Sequence, residues 1–264
     1  MGAMQFKAFY LSITLMAGLS LLACQDKDSG EKAQGPNQAI LTVGTSADMP
    51  PFEFYASDVM GTGITGFDIE LIRAIAKQLS LEIKINDMDF STLIPSLQAG
   101  RVDVIVASMT PSPERRKNVD FSDTYLELPL VAITKAGVRV KDSQDFKGKK
   151  IGVQLGSSHE QTVHAMAKKD PSIQVVSLNK LGELVQELAV GRIHAVLMEL
   201  TSAQEFVASN KELTMNVIPD HQVAFAIAFA KGSPWVPKVN QALKRLIDAG
   251  EVDKLKQKWF KLSS

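Results

Sequence analysis

The chain has 264 residues, 45% of them hydrophobic and 22% charged, with 29 Lys plus Arg against 29 Asp plus Glu. That apolar fraction excludes a disordered chain, and the even charge balance excludes a basic, groove-tracking nucleic-acid binder. A single Cys excludes an internal disulfide and a thiolate metal cage.

In chain order, the first segment is an address. Lys7 is the only charge ahead of a 15-residue apolar run, Ala8–Leu22, which ends on Ala23 and Cys24. A basic start, a short apolar run and a small residue at its end make a secretory signal peptide. The run falls short of the roughly 20 residues a spanning helix needs. Leu21-Leu22-Ala23-Cys24 resembles the bacterial lipobox, in which cleavage precedes the Cys and the thiol carries lipid; an uncleaved signal anchor and a coincidental Cys are the alternatives these residues leave open. The expectation is a lipoprotein signal peptide over 1–23, lipidation at Cys24 and a flexible tether over 24–38, where Ala33 is the only apolar residue after the Cys.

From Ala39 onward, strand-like and helix-like periods alternate, which predicts an α/β fold. Ile40–Val43 reads as a short buried strand. Gly66-Phe67-Asp68 opens a helix with Ile69, Ile72, Ala76 and Leu79 on one face. Leu81, Ile83 and Ile85 alternate as a strand. Ser91 or Thr92 is placed to cap a helix carrying Pro95 near its start, and Gly100 stops it. Val102–Ala107 is nearly all apolar, as a parallel strand covered on both faces should be.

Leu93-x3-Leu97-x2-Gly100-Arg101-Val102 recurs as Leu184-x3-Leu188-x2-Gly191-Arg192-Ile193, each copy running into an apolar strand. Ordinary helix–turn–strand punctuation produces such echoes; so do two lobes of similar topology. Two extended apolar stretches, Leu126–Thr134 and Val217–Ala230, carry Pro129 and Pro219, awkward in central strands. They are read as places where the chain crosses between lobes, leaving a cleft.

In open parallel sheets ligands sit beyond the carboxyl ends of strands. The residues that follow the strands here include Ser46, Met49 and Phe52; Ser108, Met109, Thr110 and Arg115; Ser157, Ser158 and His159; and Glu199. Arg115 offers a planar fork that matches a carboxylate, although the run Arg115-Arg116-Lys117 would also suit an exposed surface. Ser157 and Ser158 at a helix start present free N–H groups and a positive dipole end. Glu199 offers acceptors for an ammonium group, and Phe52 and Phe90 are candidates for flat apolar walls. Together these groups suit a zwitterion and require no chemistry.

At these residues the chain resembles the amino-acid-binding receptors of bacterial ABC importers, the family-3 solute-binding proteins. Gly66-Phe67-Asp68-Ile69-Glu70-Leu71, Leu93-Ile94-Pro95-Ser96-Leu97, Ser108-Met109-Thr110, Pro113-Glu114-Arg115, Val119-Asp120-Phe121-Ser122 and the ending Lys258-Trp259-Phe260 carry the resemblance. It implies the two-lobed type II fold of periplasmic binding proteins, with the ligand cleft between lobes: 39–126 with 221–264 as lobe 1, and 127–220 as lobe 2. It further implies that Arg115 clamps an α-carboxylate with Thr110 and the Ser158 N–H. Ser108 and Glu199 would hold the α-ammonium, and Phe90 would stack on the ligand side chain. Glu199 stands where the family often has Asp, Ser46 where binders of lysine, ornithine or histidine carry an Asp, and Met49 where an aromatic often stands. Arginine is the first expected ligand, with glutamine or another polar amino acid next.

The implied partners are an L-amino acid and an ABC permease with its ATPase, with no cofactor, no nucleic acid and membrane contact only through the lipid. The expected protein is a monomeric, exported lipoprotein, periplasmic or on the cell surface. Two other readings are an enzyme resembling cyclohexadienyl dehydratases, with Glu199 as its acid, and a sensory binding module. Gly61-x-Gly63-x-x-Gly66 lacks the preceding strand that a dinucleotide site needs. His159, His164, His194 and His221 show no metal-ligand spacing, and neither a G-x-S-x-G motif nor a Cys–His pair is present.

Overall fold

The computed structural model describes residues 39–57 and 63–260. The signal peptide, Cys24 and the tether lie outside the described residues. The elements begin with β1 (Ile40–Thr45), β2 (Asp48–Met49), β3 (Glu53–Tyr55), β4 (Ile64–Thr65), α1 (Phe67–Gln78), β5 (Glu82–Asp87) and α2 (Leu93–Gln98). They continue through β6 (Val104–Ile105), α3 (Pro113–Arg116), β7 (Val119–Phe121), β8 (Leu126–Lys135), β9 (Lys150–Gln154) and α4 (Ser158–Lys169). Then come β10 (Gln174–Leu178), α5 (Leu181–Ala189), β11 (Ala195–Glu199), α6 (Leu200–Ser209) and β12 (Leu213–Phe225). The last are β13 (Ala228–Ala230), α7 (Trp235–Asp248) and α8 (Glu251–Trp259).

These elements make two five-stranded sheets, ordered β5-β1-β6-β13-β7 and β10-β9-β11-β8-β12, and a small antiparallel sheet β2-β3-β4. The two large sheets are the lobes of a two-lobed α/β fold. Both are mixed rather than parallel throughout: β1 pairs parallel with β5 and β6, whereas β13 runs antiparallel to β6. Likewise β9 pairs parallel with β10 and β11, whereas β8 runs antiparallel to β11. The apolar run expected as one long strand contributes only Val104 and Ile105 to the ladder, though Val102 to Ala107 are all buried except Asp103.

The internal echo is topological. In β1-α1-β5-α2-β6 and β9-α4-β10-α5-β11 the third strand inserts beside the first, opposite the second. The two echoing helices also end alike. Gly100 and Gly191 have φ of 68° and 80°, their N–H groups bond to Leu97 and Leu188, and Arg101 and Arg192 bond back to Ser96 and Glu187. That paired pattern closes a helix on a left-handed residue, the reason for a glycine at each stop.

Of the two stretches expected to carry crossings, Val217–Ala230 does so, running from β12 of the second sheet into β13 of the first, whereas Leu126–Thr134 lies within β8 and the crossing falls just before it. Leu126 pairs with Phe225, and residues 122–125 and 226–227 make the passages. Pro129 is tolerated in β8 because the ladder with β11 has already ended at Leu130, and Pro219 lies in the register shift between Val217 and Gln222. The passages are bonded together: Ser122 N–H to the Ile227 carbonyl, Ile227 N–H to Ser122 Oγ and Tyr125 N–H to the Phe225 carbonyl.

Thr92 is the residue before α2, but its hydroxyl donates to the Asp89 carbonyl, so it does not cap the helix as expected. A single 3-10 turn over Phe90–Thr92 delivers the chain into α2 instead. Among the described residues no helix is long and apolar enough to cross a membrane.

Candidate functional site

A cavity opens where the carboxyl ends of β6, β9 and β11 meet. It is lined from the first lobe by Met49, Phe90, Ser108, Thr110 and Arg115, and from the second by Gln154, Ser157, Ser158, His159, Leu181, Met198 and Glu199. Nine residues expected from the sequence therefore meet: Met49, Phe90, Ser108, Thr110, Arg115, Ser157, Ser158, His159 and Glu199.

Arg115 sits in α3, whose start is set by Ser112, the acceptor for the Arg115 N–H, and by Pro113 in the first turn. Its side chain is buried rather than part of an exposed basic patch, at 5% exposure. The guanidinium lies 5.3 Å above the Phe90 ring and donates to the carbonyls of Thr110 (2.8 Å) and Gly156 (2.9 Å). Guanidinium carries five N–H donors. Among the described residues no carboxylate stands within ion-pair distance of it, and burial draws its pKa down to about 10. A buried, unpaired cation on the wall of a cavity is a site for an anion.

Opposite it, α4 begins at Ser158, with Ser157 Oγ accepting from the Glu160 N–H as the cap. Glu160 in turn accepts from the Gly156 N–H at 2.7 Å, so the loop is held by both of its ends. Ser158 Oγ reaches Thr110 Oγ1 across the cleft at 3.2 Å. His159 presents an Nε2 that is shut off from solvent and has no hydrogen-bond partner. Burial, then the Arg115 charge, pulls its pKa down to about 4, so the ring is neutral near pH 7.

Glu199 ends β11 and precedes α6, is 1% exposed, and has an Oε1 without a partner. Burial raises its pKa to about 7. Ser108 stands between it and a buried acid layer. Its φ of 47° is a left-handed conformation rare for a residue with a Cβ. It is pinned there by a 2.8 Å bond from its N–H to Asp68 Oδ2, which also accepts from Tyr125 Oη at 2.7 Å. Ser108 Oγ lies 3.4 Å from both Asp68 Oδ2 and Glu53 Oε2. Burial, then the Asp68 charge, pushes Glu53 well above the usual carboxylate range; burial raises Asp68 to about 6.

Three expected residues do not line the cavity. Phe52 is wholly buried in an aromatic cluster, with ring centroids 5.4 Å from Phe225 and 5.3 Å from Phe260. Its backbone enters the small sheet just before β3, and that turns its ring into the core. Met109 is 1% exposed and packs with Leu93, Leu97 and Phe121. Ser46 is 1% exposed and donates to Asp48 Oδ1 at 3.0 Å, so its hydroxyl serves a neighbour.

Sequence reasoning missed Leu181 at the cavity and the layer of Glu53, Asp68 and Tyr125 beneath it. Asp68 looks like a first-turn acid answering the helix dipole, a role that needs no burial. No period marks Glu53. Among the described residues no group of three His, Cys, Asp or Glu side chains is placed to hold a metal ion.

The profile of the bacterial extracellular solute-binding proteins, family 3, matches residues 41–262. The chain is 38% identical over 257 residues to the arginine-binding extracellular protein ArtP of Bacillus subtilis (strain 168), covering 96% of this chain and 98% of that one. Among solved structures it is similar to an ancestral arginine-binding protein bound to arginine, with a TM-score of 0.79 at 38% identity over 84% of this chain and 99% of the other. An ancestral arginine-binding protein bound to glutamine matches with a TM-score of 0.76 at 37% identity over 84% of this chain and 98% of the other.

Proposed function

Because the chain belongs to family 3 of the bacterial extracellular solute-binding proteins, we propose that it captures a polar L-amino acid, arginine before glutamine, and delivers it to an ABC permease. The observation that carries this reading is the opposition of two buried ionisable groups across one cavity: the Arg115 guanidinium without an ionic partner, and Glu199 with a free Oε1. A zwitterion satisfies both. Arg115 and the N–H groups at the start of α4 take the carboxylate, Ser108 Oγ and Glu199 take the ammonium, and Phe90 and Met49 flank the side chain. His159 lies beside the carboxylate end. The two lobes close over the ligand.

The names of relatives favour arginine. The likeness to both an arginine-bound and a glutamine-bound ancestral protein supports taking glutamine second. The chain turns nothing over in this reading and works as a monomer. It reaches the membrane through lipid on Cys24, exposed by removal of residues 1–23.

A thermal-shift screen of the purified protein against all L-amino acids, with prephenate included, tests it. A ligand at 100 times its dissociation constant adds about 2.7 kcal/mol. A strong response to arginine is expected. Conversion of prephenate to phenylpyruvate would instead make the protein a dehydratase.

A further inference from the structure

Asp48 belongs to the first lobe, on β2, yet its carboxylate is bonded to the second. Oδ2 accepts from the Leu181 N–H at 2.9 Å and from Gln154 Nε2 at 3.2 Å, while Ser46 Oγ holds Oδ1 from its own lobe at 3.0 Å. Leu181 is the first residue of α5, a nine-residue helix whose own preceding residue, Lys180, supplies no side-chain cap. The first N–H groups of a helix need an acceptor, and a carboxylate there also meets the positive end of the dipole. Among the described residues Asp48 is not on the cavity wall. Beside it Lys180 Nζ reaches Asp89 at 3.0 Å, a further bond between lobes.

We propose that Asp48 is the closure latch: it caps α5 across the cleft and so weights the shut arrangement of the lobes, with ligand or without it. It is a positioning residue, acting on ligand through the closed state. The proposal deepens the receptor reading and depends on it only where affinity is measured. Because apparent affinity scales with the fraction of protein that is competent to hold ligand, losing the latch weakens every ligand by one factor. The loss of a cap predicts about 2- to 30-fold.

Two measurements on the full chain test this. The first is amide exchange at Leu181, read by NMR without added ligand. Asp48→Ala is expected to speed exchange at Leu181 while leaving Leu188, in the last turn of α5, unchanged. Asp48→Asn, which keeps an acceptor oxygen, is expected to restore most of the protection. Unchanged exchange at Leu181 in Asp48→Ala overturns the latch whether or not the protein binds amino acids. The second is titration with arginine and glutamine, where Asp48→Ala is expected to weaken both by the same factor. A loss confined to arginine overturns the latch by making Asp48 a ligand side-chain contact.

Discussion

Arg115 donates its Nη2 hydrogen to the carbonyl oxygen of Gly156, 2.9 Å away on the other side of the cleft. The residue proposed to hold the ligand carboxylate thus also ties one lobe to the loop that opens α4. Arg115→Ala removes both contacts and leaves the carboxylate without its charge partner. The expected loss is about 2–5 kcal/mol of binding free energy. Isothermal titration with the cognate amino acid checks it, and unchanged affinity would take Arg115 out of the site.

Glu199 must be ionised to hold an ammonium group, and in the free protein it titrates at about 7. Binding of the cation therefore expels a proton, and affinity should fall as the pH drops below about 7, approaching tenfold per unit. Glu199→Gln is expected to flatten that dependence. It should also weaken amino acids more than the corresponding acids that lack the α-amino group. Equal losses for both ligand types would remove Glu199 from the ammonium site.

Stability without ligand should run the other way. Glu53, Asp68 and Glu199 all have folded pKa values raised above their ordinary ones, to about 6 for Asp68 and about 7 for Glu199. Their contribution is fully present below about pH 4 and is lost as pH rises through the folded values. His159 opposes them. Its pKa is lowered to about 4, so its contribution is present above 6.5 and lost as pH falls toward 4. Three acids outweigh one imidazole, so Tm of the dialysed protein should rise from pH 8 to pH 5. Glu199→Gln should shrink that rise. A Tm that is flat or falling over this range contradicts the acid layer.

Phe52 separates core from site. Its ring meets Phe67, Phe225 and Phe260, and no part of it reaches the cavity. Phe52→Ala should cost about 3–5 kcal/mol in denaturant unfolding. The folded fraction should bind ligand as the parent does. A selective loss of affinity at unchanged stability would return Phe52 to the ligand.

The lipid anchor has its own test. Mass spectrometry of the membrane fraction is expected to find a mature chain beginning at lipid-bearing Cys24, and Cys24→Ser should abolish that species. A full-length chain retaining Lys7 would favour the uncleaved anchor.

The pattern of strand ends was legible because apolar runs stop where backbone reaches the cleft. That singled out Ser108, Arg115, Ser158 and Glu199, which line one cavity, from chain order alone. Phe52 was not legible: it follows β2 just as a cleft residue would, and only the tertiary position of Phe225 and Phe260 decides that its ring turns inward. The reach of β12 was legible in part, since Pro219 looks like a break until the register shift around it is seen. Glu53 and Asp68 could not be found at all. Their interest comes from being buried next to each other, and they are 15 positions apart in sequence with nothing periodic between them.

The paired passages between the sheets set how this molecule can move. One linker alone would leave the lobes free to swivel as well as to part. Here two linkers run side by side and are stitched by Ser122, Tyr125, Phe225 and Ile227, so twisting either one shears the bonds to the other. The soft direction that remains is a bend across the ribbon. Closure is then a search along a single coordinate, and the mating surfaces return to the same register each time they meet.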